Sequence, residues 1–285
     1  MPLFGSRLKV RRADIHLHEL IAAITAFLDR KPYGLLRDFD PQNNLHTVRA
    51  SIADQPDPAI ASIVGDILHN LRAALDHLAV DLTREGFRLK GERMSRTAFD
   101  EAGFPVYANR ALFETSGSKK IKNWPPVAQT LIAELEPFKD GGHEWSTDLW
   151  CLHQLDILDK HKMLVPAASL AYDLSWSTGP TEAALKEKGF WNSGPFRLAA
   201  YNERTFPAKD GDVIVAIESA DPDFQFNLGA NFEVAFGTEQ VLDGEPVLIT
   251  LQRLGRVVDS IIETMAAKVF STPQHNRNYG DTELR

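Results

Sequence analysis

The stretch PAIASIVGDILHNLRAALDHLAVDLTREG, residues 58–86, decides how the rest of the chain is read. Ile60, Ile63, Val64, Ile67, Leu71, Leu75, Leu78 and Leu82 recur at intervals of three and four. That period puts them on one side of an α-helix. Asp57-Pro58 suits its start, because proline fits the first helical turn, and Gly86 suits its stop. An unbroken apolar stripe over so long a segment describes the central helix of a bundle.

Further helices extend outward from it. Ala13–Arg30 carries Ile15, Leu20, Ile21, Ile24, Phe27 and Leu28 at helical spacing, and Pro32 and Gly34 break the pattern. Trp124-Pro125-Pro126 opens a helix through Leu135 that Pro137 ends, and Ser146 or Thr147 caps another that runs to Lys162. Pro246 opens a last amphipathic helix with Val247, Leu248, Leu251, Leu254, Val258, Ile261, Ile262 and Met265 on its buried face.

Leu45–Arg49 reads as a strand after a turn at Gln42-Asn43-Asn44. Beyond Val165-Pro166 the period changes to two. Leu170–Trp176, Phe196–Tyr201, Val213–Ile217, Phe224–Leu228 and Phe232–Phe236 read as strands, the last two joined in a hairpin at Gly229-Ala230. The expectation is a single α+β domain. Its helical bundle covers 13–164 and 246–270, and an antiparallel β-rich insertion at 165–240 precedes the C-terminal helix. The tail after Ser271 is polar and is expected to fray.

The chain has 285 residues, a hydrophobic share of 44% and a charged share of 25%, which is globular composition. No apolar run is long enough to span a bilayer, and no secretory leader is recognisable, so a cytoplasmic protein without membrane contact is expected. A single cysteine, Cys151, forms no internal disulfide and reads as a buried thiol. The net charge of −8 argues against a general nucleic-acid coat, whose affinity comes from neutralising phosphates. The local basic clusters read as solvated faces. Walker, GxGxxG, HExxH and GxSxG patterns are absent.

Two segments echo one another: LHNLRAALDH, Leu68–His77, and LHQLDILDKH, Leu152–His161. Within each the histidines are eight apart. On one helix that is about 12 Å along the axis and about 80° around it, too far to grip one ion. A metal site would need His69 and His153 from two helices, with Asp76, Asp156 or Asp159, and the nearby cations Arg72, Lys160 and Lys162 oppose it.

Anion chemistry fits these residue types better. His69, Arg72 and Asp76 form one polar row, with Arg72 and Asp76 spaced to pair, and Asp66, Asn70 and His77 form a second. Histidine exchanges protons near neutral pH, and arginine binds phosphate through a two-pronged fork. Together they are the minimum set for metal-free RNA cleavage.

Arg72-Ala-Ala-Leu-Asp-His77, arginine and histidine separated by four residues on a long bundle helix, resembles the signature of HEPN domains. That resemblance implies a metal-independent ribonuclease, acting as a toxin or in phage defence, with Arg72 and His77 catalytic. It also implies a homodimer, an RNA substrate and no cofactor, and it leaves room for an antitoxin partner. His69, Asn70, Asp76, His153, Asp159, Lys160 and His161 are the supporting residues. The pair GDILHNLRAALDHL and LHQLDILDKHKML is also similar to uncharacterised bacterial and phage-associated proteins. Two other readings stand beside it. One is a non-catalytic scaffold whose polar rows form a helix–helix or dimer interface. The other is a metal-binding protein using histidine and aspartate.

Overall fold

A computed structural model describes residues 2–161, 166–173, 197–201, 204–205, 208–221, 229–237 and 241–270. The fold is α+β. The helices are α1 (Phe4–Asp29), α2 (Pro58–Leu89), α3 (Arg96–Glu101), α4 (Arg110–Leu112), α5 (Ser118–Ile121), α6 (Pro126–Leu135), α7 (Ser146–His161) and α8 (Val247–Met265). A π-helical turn, Phe113–Gly117, joins α4 to α5, and another, Ala266–Phe270, extends α8. The strands are β1 (Tyr33–Asp40), β2 (Leu45–Ile52), β3 (Pro166–Asp173), β4 (Arg197–Tyr201), β5 (Arg204–Thr205), β6 (Val213–Glu218) and β7 (Gly229–Phe236). No helix among the described residues is long and apolar enough to cross a membrane.

The chain divides into two compact units. One comprises Met1–Arg11, Asn70–His153 and the segment from Leu254 onward. The other comprises Arg12–His69 and Gln154–Arg253, and it holds all the described strands.

In the helical unit, Leu71, Leu75, Leu78 and Leu82 of α2 are at most 2% exposed. Each such side chain contributes about 1.5–3 kcal/mol by leaving water. The α2 helix does not stop at Gly86. Gly86 lies within the last turn of the helix, where an added Cβ would stand 2.8 Å from the Asn123 carbonyl carbon. Glycine is there for close approach, and the stop lies at Gly91, which has a left-handed φ of 72°. The Gly91 N–H donates to the Arg88 carbonyl and the Glu92 N–H to the Phe87 carbonyl, the Schellman arrangement. The helix α7 does begin at Ser146, but the Ser146 hydroxyl donates to the Leu135 carbonyl at 3.1 Å and ties α7 to the end of α6.

The second unit carries two antiparallel sheets, ordered β1-β2-β6-β4 and β5-β3-β7. The β1–β2 hairpin turns through Asn44, which has a left-handed φ of 51°, and the Asp40 carboxylate accepts the Gln42 and Asn43 N–H groups. The β-rich segment is not a self-contained insertion, because β6 pairs with β2 from before α2. Nor is Gly229-Ala230 a turn. Both residues open β7, opposite Asp173 and Tyr172 of β3. Lacking the positive-φ requirement of an Asn-Gly turn, Gly-Ala continues an extended strand as readily as it ends one. The expected strand Phe224–Leu228, the Trp176 end of the expected strand Leu170–Trp176, Lys162 and the tail after Ser271 lie outside the described residues.

Candidate functional site

The boundary between the units falls between His69 and Asn70, so the candidate residues divide into two groups. In the helical unit, Arg72 is 9% exposed. One guanidinium nitrogen, Nη2, donates to the Phe104 carbonyl at 2.9 Å and lies 3.1 Å from an Asp76 carboxylate oxygen. The same Asp76 oxygen accepts the Phe104 N–H at 2.9 Å. The i, i+4 pair thus grips both main-chain groups of one residue. Phe104 itself is 1% exposed, its ring centroid 6.4 Å from that of Trp124. The other guanidinium nitrogen, Nη1, is buried and has no hydrogen-bond partner among the described residues.

His77 leaves the helix elsewhere. Five residues from Arg72, it projects about 140° around the axis. It is exposed, and its ring lies over Gly5 of α1, where an added Cβ would stand 2.8 Å from Nδ1. Asn70 is on the same side and its side-chain oxygen accepts from Lys9 at 3.2 Å. Together with the Leu3 N–H, which donates to Asp81 at 2.8 Å, these contacts run the first turns of α1 antiparallel along α2. His153 of α7 lies beside Trp150, with ring centroids 6.2 Å apart.

The second unit brings the two echo segments together. His69 Nδ1 lies 3.3 Å from Asp156 Oδ1, and Asp156 Oδ2 accepts from Lys160 at 2.6 Å. Asp156 is buried, whereas the side chains of His69 and Lys160 are about half exposed. One turn back along α2, the Asp159 carboxyl sits against Gly65, where an added Cβ would stand 2.6 Å from its carboxyl carbon. Burial, followed by the neighbouring Asp156 and Asp66 carboxylates, pushes Asp159 above the usual carboxylate range, opposed by His69 and Lys160. His161 is exposed in the last turn of α7, where positive charge complements the helix dipole.

The chemistry available differs between the groups. Arg72 and Asp76 are engaged by main chain. His69, by contrast, is oriented by a buried carboxylate through one ring nitrogen and keeps an exposed ring, which is how proteins prepare a proton acceptor. Among the described residues, no three His, Cys, Asp or Glu side chains are arranged to hold a metal ion.

Phe104 and Gly65 escape a reading of the sequence. Phe104 takes part through its main chain, which has no residue signature. Gly65 takes part through its missing side chain. Asp156 is signalled by its place in the second echo segment and by its i, i+4 spacing to Lys160.

No protein-family model matches the chain, and comparisons with curated proteins and with solved structures gave no significant match.

Proposed function

We propose that the chain is a metal-independent ribonuclease of HEPN type, and that His69 is its principal proton acceptor. The observation that carries this reading is the His69–Asp156 pair. A buried carboxylate on Nδ1 fixes the ring and leaves the other ring nitrogen on the half-exposed side, the arrangement that general base catalysis requires. RNA as the substrate rests on the resemblance of Arg72…His77 to the HEPN signature. In this reading His77 is a second exposed histidine on the same helix. Arg72 acts by holding Phe104 rather than by touching phosphate. A cytoplasmic location, a homodimer and a toxin or defence role with an antitoxin belong to the same proposal.

The test is cleavage of a broad RNA panel by the purified full chain with EDTA present. His69→Ala is expected to lower the rate by about 10²–10⁴-fold while the circular dichroism spectrum is unchanged. A wild-type chain that leaves every RNA intact overturns the reading.

A second reading, a non-catalytic scaffold, is favoured by one specific observation. Arg72, Asp76 and Asn70 are all engaged in holding other segments of their own unit. It predicts that Arg72→Ala lowers stability in a chain that cuts no RNA.

A further inference from the structure

Cleavage of RNA by transesterification moves two protons: one leaves the attacking 2′-hydroxyl and one reaches the departing 5′-oxygen. His69 accounts for the first. The structure holds a second titratable group in a prepared position. Asp159 lies on the next turn of α7 after Asp156, and its carboxyl rests on α2 at Gly65, one helical turn from His69. Only glycine leaves that space, since a methyl group there would displace the carboxyl. The contact is therefore a seat for a carboxyl group on a bare stretch of helix backbone. An ordinary ion pair would not require it.

Resting on the ribonuclease reading, we infer that Asp159, seated on Gly65, is the second proton carrier of this site and works with His69. The charged groups around it are Asp156 and Asp66, which favour its protonated form, and His69 and Lys160, which oppose it. A carboxyl whose protonated form is favoured by its surroundings, beside an oriented histidine, supplies a proton donor and a proton acceptor in one site. In the reaction, His69 takes the 2′-hydroxyl proton as the O2′–P bond forms. The P–O5′ bond breaks and Asp159 gives its proton to O5′, leaving a cyclic phosphate and a free 5′-hydroxyl. Lys160, half exposed and bound to Asp156, is the nearby cation for the phosphate. Asp156 is a positioning residue.

The experiment is the pH–rate profile of RNA cleavage by the full chain in EDTA, for wild type, His69→Ala, Asp159→Asn, Gly65→Ala and the control Gly255→Ala. Gly255 has nothing within 4 Å of an added Cβ. Wild type is expected to give a bell. Asp159→Asn is expected to lose about 10²-fold at the optimum and to lose the fall at high pH, leaving a single rise. Gly65→Ala removes no titratable group, yet it is expected to lower the rate in the same direction by unseating Asp159. Gly255→Ala is expected to match wild type.

If wild type cuts RNA while Asp159→Asn and Gly65→Ala keep its rate and bell, the role of Asp159 is overturned and the ribonuclease reading stands. If wild type cuts nothing, the reading falls and the role falls with it. Circular dichroism on each variant separates a lost fold from a lost proton.

Discussion

At Arg72, Asp76 and Gly86, α2 is fastened to main chain. At Gly65 and His69 it is faced by the side chains of α7. The residue types are the same in both places: a basic group, an aspartate and a glycine. What differs is the partner. A peptide group has fixed hydrogen-bonding capacity and does not titrate, so Arg72 and Asp76 bound to Phe104 form a structural latch. Side chains rotate and exchange partners, so His69, Asp156, Asp159 and Lys160 can rearrange around a ligand. The echo in the sequence therefore hides two different uses of similar residues.

The comparison is broken most severely at Gly86. Gly86→Ala puts a methyl group onto the Asn123 carbonyl, a backbone group that cannot swing aside. The expected loss is about 3 kcal/mol, read as a lower urea midpoint, despite alanine's better helix propensity. If Gly86→Ala instead left the midpoint unchanged, that approach would not be a constraint.

Next comes Arg72→Ala, which removes the donor to the Phe104 carbonyl and the partner of Asp76. The expected cost is about 2 kcal/mol, because hydrogen bonds from charged groups are worth about 1.5–3 kcal/mol and Asp76 remains partly hydrated. Arg72→Lys is expected to recover only part of it, since an ammonium lacks the planar fork. Full stability in Arg72→Ala would mean that the latch contributes nothing to holding Phe104.

The smallest expected effect has the opposite sign. The folded pKa of Asp159 is raised above its unfolded value, so the ionised carboxylate costs stability once the pH exceeds that folded value. The cost fades as pH falls through the folded pKa and vanishes below the ordinary carboxylate range. Asp159→Asn is therefore expected to raise the urea midpoint at pH 7, with the difference from wild type closing on acidification. A variant that is less stable at pH 7 would show that the carboxylate form is favoured there.

Much of the helical architecture is legible in the sequence. Ile60, Val64, Ile67, Leu71, Leu75, Leu78 and Leu82 are buried as their spacing requires, with Ile63 only half-buried, and the face of α8 is buried except Leu248. Strands are legible as strands but not in their pairing. The β2–β6 ladder joins residues as far apart in sequence as Thr47 and Ala216, and no local pattern records such a partner. The spacing of Arg72 and Asp76 foretells their pair, but not that Phe104 lies between them. Gly86 reads as punctuation because glycine marks both helix ends and close approaches, and only the neighbouring chain distinguishes the two.

The sequence by itself determined the features that short-range periodicity dictates: the long helices α2 and α8 with their apolar faces, and where the turn at Asn44 and the strand at Leu45 begin, whereas α1 starts at Phe4 rather than Ala13 and leaves Ile15 and Ile21 exposed. These depend on backbone sterics and on solvent avoidance over a few residues. Only the tertiary structure decided which polar groups of α2 meet peptide groups and which meet titratable side chains. That choice depends on what a distant segment brings against each face. It separates Arg72, held at Phe104, from His69, paired with Asp156.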